Sequence, residues 1–192
     1  MSQIYPAQTV IEAWHQLLQD AGDRCHLSLD EEMQSYLVYM LMRHTEDVDI
    51  ADNVMARRYL QGSRASGQQA IEQMRTVGDQ CLLYCGFFTE RCSRRNVLPR
   101  YYMDLGRTAY ADLASRMSAG FAHMYEKLAQ HFVALIDILL ATRLLDPAQS
   151  INSALMIELA RGCGSKHARR LLRDDHIHVM PAMQKRTTIV SR

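Results

Sequence analysis

Residues 78–110 read GDQCLLYCGFFTERCSRRNVLPRYYMDLGRTAY, and two features of this stretch decide the fold. In its first half Cys81, Cys85, Phe88 and Cys92 follow spacings of four, three and four, which is the period of one helical face. Its second half opens on Pro99, which suits a first helical turn because an amide there has no intrahelical acceptor. Tyr102, Leu105, Ala109, Leu113 and Met117 then recur along one stripe. Two apolar-faced helices joined by a turn follow, and the rest of the chain repeats the pattern.

Upstream, Pro6 and the run Val10, Ile11, Trp14, Leu17, Leu18 predict a helix over 6–21 that ends at Gly22. Ser28-Leu-Asp-Glu31 has the form of a capping box, and Met33, Tyr36, Leu37, Met40 and Leu41 carry the buried stripe behind it. Val38, Tyr39 and Met42 widen that stripe almost around the axis, so this helix either lies centrally or offers a surface to a partner. A short helix over 50–61 leads to a loop at 61–67 and a long helix over 67–95. After the Pro99 helix, Gly120 separates a run over 121–145, with Leu128, Phe132, Leu135, Ile136 and Leu139 as core positions. Asp146-Pro147 restarts the chain as a helix with Ile151, Leu155, Ile157 and Leu159, closed by Gly162 and Gly164.

The expectation is therefore an all-α, single-domain bundle of about seven helices over residues 1–164, cored by the helices centred near 82, 108 and 134. Residues 165–192 read as a basic C-terminal segment, a short helix followed by an extended or disordered tail. There His176-Ile-His-Val-Met180 alternates and Thr187–Val190 is β-branched, yet no other stretch offers a strand to pair with.

Composition narrows the classes. With 192 residues, 48% hydrophobic and 22% charged, the chain has the apolar content for a buried core and is neither disordered nor fibrous. No apolar run approaches the roughly 18–20 residues that cross a bilayer, and the first residues lack the basic and apolar regions of a secretory signal, so the cytoplasm is the expected compartment. The net charge of +1 conceals an asymmetry: residues 161–192 carry eight Lys or Arg and two Asp, whereas residues 20–53 hold nine acidic residues against Arg24 and Arg43. Five cysteines without a Cys-x-x-Cys pair suggest reduced thiols, not a disulfide framework or a zinc ribbon.

Four clusters invite a functional reading. Cys81, Cys85 and Cys92 on one face could hold a soft ion such as Cu(I), but core packing of small apolar thiols explains them better, and no metal is assigned. Tyr84, Glu90, Arg94, Tyr101, Tyr102 and Arg107 gather around the Pro99 turn. They form either an ion-pair network between antiparallel helices or a pocket whose guanidinium forks and phenol hydroxyls grip an anionic small molecule. Histidines give less: His123, Glu126 and His131 lack the Glu-x-x-His order of di-iron bundles, and His15 beside Trp14 is read as a surface residue before a haem ligand. Asp137 shares its helical phase with Gln130 and Ala141 and is expected to face solvent. No Walker, dinucleotide or Gly-x-Ser-x-Gly pattern occurs, and no cofactor is assigned.

The run Cys85-Gly-Phe-Phe-x-Glu-Arg, then Arg94-Arg95, then Tyr101-Tyr102-x-x-Leu-Gly-Arg-x-Ala-Tyr110-x-x-Leu-Ala resembles uncharacterised all-helical bacterial proteins over residues 85–114. The resemblance implies a bacterial cytosolic family and brings no activity. On the residues, the leading reading is a non-enzymatic regulatory or adaptor protein acting through protein contacts, with a homodimer among the forms it could take. Tyr36 and Tyr39 on the second helix and Arg169, Arg170 and Arg173 near the C-terminus are its partner-binding residues. The alternative is an anion-binding protein or enzyme using the Arg/Tyr cluster. Nucleic-acid binding through the basic tail comes third, because that tail has no aromatic residues to stack bases and the acidic body opposes approach.

Overall fold

The structure, a computed structural model, describes residues 9–46, 55–94 and 97–174. Its helical segments are α1 (Val10–Cys25), α2 (Glu31–Glu46), α3 (Met55–Arg64), α4 (Gly67–Gly86), α5 (Thr89–Arg94), α6 (Pro99–Arg116), α7 (Ala119–Gln130), α8 (Phe132–Arg143), α9 (Ser153–Arg161) and α10 (Lys166–Arg173), and no strand occurs among the described residues. The fold is all-helical as expected, with more segments than seven. The added breaks have local causes. The amides of Phe87 and Phe88 both donate to the Leu83 carbonyl, ending α4 before α5 begins. His131, at φ −94° and ψ 13°, separates α7 from α8.

The helix starts also differ from the expectation. Thr9 and Glu12 form the capping box that opens α1, each satisfying the other's amide. At α2 the cap is Asp30 and not Ser28, because the Asp30 carboxylate accepts from the Met33 amide at 2.8 Å while Lys127 holds its other oxygen at 2.7 Å. Gly22 does not end α1, which runs on to Cys25 and stops at His26 in the left-handed region, φ 52°. The expected tail beyond Asp174 and the acidic stretch over 47–54 lie outside the described residues.

Long apolar faces set the packing. α4 lies along α6, with α8 against both α4 and α1. Leu82, Tyr84, Tyr110, Leu113, Phe132, Leu135 and Ile136 are fully buried where they meet. Close approach of α4 and α6 depends on glycine. A Cβ at Gly78 would lie 2.3 Å from the Tyr110 ring, and one at Gly106 would lie 2.5 Å from Phe132 and 2.8 Å from Cys81.

One carboxylate organises three helices. Asp79 on α4 is completely buried and accepts from Tyr36 Oη on α2 at 2.5 Å, from Tyr110 Oη on α6 at 2.8 Å, and from Arg43 at 3.0 Å. Burial, and then the Asp79 charge, push both phenols well above their ordinary pKa, so they remain donors. Tyr125 adds ring contacts to Tyr36 and Tyr110 at 5.9 and 6.0 Å.

A second buried carboxylate corrects the sequence reading. Asp137 is 2% exposed, not solvated. It accepts from the Ser165 hydroxyl and from the amides of Lys166 (3.0 Å) and His167 (3.2 Å), so its partner is the first turn of α10. The amides and dipole of a helix N-terminus supply what a buried carboxylate needs. Helical phase within α8 carries no trace of a partner 28 residues away.

Replacing Asp79 by Ala is expected to remove about 3–5 kcal/mol of stability, since it leaves Arg43 and two buried hydroxyls without their acceptor. Urea unfolding measures that loss, and Arg43→Ala, at the half-exposed end of the network, should cost less in the same titration.

Candidate ligand cavity

α10 reaches its position through two sets of contacts, the Asp137 cap and its own arginines. Arg169 donates to the carbonyls of Ala160 (3.1 Å) and Gly164 (2.9 Å) at the end of α9, and Arg170 donates to the Cys25 carbonyl at the end of α1. Cations at helix C-termini satisfy the last free carbonyls and complement the dipole. Two of the three arginines read as partner-binding are thus engaged within the fold, leaving Arg173 exposed.

Between the end of α1, the end of α8, the loop over 144–152 and α10 lies a cavity of about 580 Å³. Arg24, His26, His167 and Arg170 bring its basic groups, Leu144 and Leu171 its apolar wall, and Gln149 and Ser150 further polar groups. His167 is only 7% exposed, and its ring makes no hydrogen bond to another described residue. Burial first, then Arg170 and Arg24, lower its pKa to about 4, so the imidazole is neutral near pH 7 and keeps one donor and one acceptor. Two acidic residues also line the cavity. Asp146 is turned into its own loop, accepting from the Ala148 amide at 2.9 Å and from Gln149 at 3.3 Å, while Asp174 sits exposed where α10 ends.

The expected Arg/Tyr cluster is dispersed. Tyr84 and Tyr102 are core residues, their rings 5.2 Å apart. Glu90 pairs with Arg143 at 2.5 Å and not with an arginine across the Pro99 turn, because the C-terminal end of α8 reaches α5 there. Tyr101 and Arg107 are exposed on α6, Arg100 meets Asp104 on the surface at 3.8 Å, and the Arg94 side chain lies outside the described residues. Tyr36 points inward to Asp79, whereas Tyr39 is 58% exposed. His15 is half-buried on α1.

Cys81, Cys85 and Cys92 are fully buried. Cys85 donates to the Pro99 carbonyl at 3.3 Å and Cys92 to the Tyr84 carbonyl at 3.5 Å. Burial raises the Cys81 and Cys85 thiols well above their usual range and Cys163 to about 12, which disfavours the thiolate. Among the described residues no group of three or more His, Cys, Asp or Glu is placed to hold a metal ion. No described helix is long and apolar enough to cross a membrane.

Arg24, His26 and His167 carried no sequence signal as a group, since they come from segments some 140 residues apart. The one local clue was Ser165-Lys-His-Ala-Arg-Arg170, where Ser165 caps α10 and His167 and Arg170 fall three apart on one face. No protein family, characterised protein or solved structure matches the chain. Fold and cavity define an all-helical protein with a partly basic cleft.

The depressed His167 pKa has a consequence for stability. Unfolded, the imidazole titrates near 6.5, and in the fold near 4, so the unfolded chain binds more protons between these values. The contribution of a neutral His167 is complete above pH 6.5 and is lost as pH falls to about 4, a difference of about 3 kcal/mol. Urea midpoints across this range should fall more steeply for the native chain than for His167→Gln.

Proposed function

We propose that the chain is a non-enzymatic binding protein whose ligand is a small anion held in the cavity between α1, α8 and α10. The observation that carries this reading is His167, a neutral ring buried to more than nine-tenths, without a hydrogen-bond partner among the described residues and flanked by two guanidiniums. An anion in the cavity would accept from the His167 N–H and offset Arg24 and Arg170, the latter already in the field of the buried Asp137 carboxylate. The volume is that of small-molecule sites, and the wall sets an apolar side of Ala141, Leu144 and Leu171 against a lining that is mostly polar and charged.

A regulatory adaptor acting through protein contacts is the second reading, favoured by the outward placement of Tyr39 on α2 and Arg173 on α10. Tyr39→Asp should then abolish partner capture and leave anion binding intact.

The direct test is titration of inorganic phosphate into the full chain while the His167 ring resonances are followed by NMR. Bound phosphate is expected to raise the His167 pKa from about 4 by offsetting the neighbouring cations. Arg24→Gln, at an exposed position, should weaken phosphate about tenfold without unfolding the chain. A His167 titration unmoved by either phosphate or acetate would overturn the reading.

A further inference from the structure

The basic cavity shares Asp146 and Gln149 with a second depression of similar size, about 580 Å³, that has a different character. Its floor is Trp14, Leu17, Phe87, Phe88 and Leu145. The break between α4 and α5 sets Phe87 edge-on to Trp14, with centroids 6.5 Å apart, and to Phe88 at 5.2 Å. Charge at this end is cancelled locally, since Glu90 is paired with Arg143. Arg143 also donates to Thr89 and to the Ser150 carbonyl, which fixes the wall between the two depressions. Asp146, on that wall, is bonded into its own loop. One end of the combined cleft therefore gathers Arg24, His167 and Arg170 together with Asp174, the other is aromatic, and the Asp146 carboxylate lies on the wall they share.

We propose that the two depressions form one site for an amphipathic anion, with a carboxylate or phosphate head at Arg24, His167 and Arg170 and an apolar chain or ring laid over Trp14, Phe87 and Phe88 across the Asp146–Gln149 wall. This rests on the anion reading of the basic cavity and names its ligand class. The shared wall provides the continuity: a head held at one end places the substituent of the same molecule at the other. A compact anion would leave the aromatic floor wet, whereas each methylene buried there adds about fourfold in affinity.

Trp14 is the chain's single tryptophan and lies in the aromatic end, so its fluorescence reports that end while His167 NMR reports the other. Decanoate and monodecyl phosphate are titrated into the full chain, with acetate and inorganic phosphate as heads without chains. Both decyl ligands are expected to move Trp14 and His167 with one midpoint, at least about a hundredfold below that of the matching bare head. Leu17→Asp, at a partly exposed position, should remove that advantage and leave the His167 response to phosphate unchanged. If the decyl ligands shift His167 no more tightly than the bare heads and leave Trp14 unmoved, the extension falls while the small-anion reading stands. A Trp14 response to the decyl ligands with His167 silent to them would overturn the extension, and His167 silent to phosphate and acetate as well would overturn both. Trp14 emission that changes with protein concentration alone would assign the aromatic end to a second copy of the chain and overturn the extension.

Discussion

Burying a carboxylate is costly unless every lone pair is answered, and the arrangement around Asp79 shows how much structure one such answer can fix. Its partners come from α2 and α6, so α4 cannot take its place until both neighbours are in register. Tyr110 reaches the carboxylate only because residue 78 is glycine and leaves room for the ring. Most of the driving force for folding comes from the apolar faces around it, which are tolerant of small shifts. The hydrogen bonds to Asp79 are not tolerant, and they select one packing among those the apolar surfaces would permit.

The same physics operates a second time elsewhere in the molecule, where its product is a cavity. Asp137 draws in the first turn of α10, and Arg169 and Arg170 then close the carbonyl ends of α9 and α1. A helix short enough to be marginal by itself is held at its N-terminus by Asp137 and along its basic face by Arg169 and Arg170. Its apolar contribution is modest, with Ala168 completely buried and Leu171 and Leu172 partly so. Docked this way, α10 cannot fill the space beside the loop over 144–152, and His167 and Arg170 are left facing it. The proposed site is thus a by-product of how a buried acid is satisfied.

The all-helical class and most of the core were legible because helical periodicity is written locally. Tyr102, Ala109 and Leu113 on α6, and Leu128, Phe132, Leu135 and Ile136 farther on, are buried as their spacing predicts. The break at His131 was not legible, since no glycine or proline marks it, and the break at Phe87 had only Gly86, the last residue of α4, as a local mark. The gathering of Arg and Tyr around Pro99 looked like a site because the residues are close in sequence. In three dimensions a helix distributes neighbours around its axis, so Tyr102 enters the core while Tyr101 and Arg107 turn outward.

Which segments become helices and which of their faces are apolar followed from local sequence, because backbone sterics and side-chain periodicity act over a few residues. The fate of the polar groups was settled in three dimensions alone. Asp79, Asp137 and His167 each lie in stretches where a polar side chain could equally face water, and each is buried because its surroundings arrive from elsewhere in the chain. Electrostatic satisfaction depends on partners in space, and spacing along a helix does not encode them.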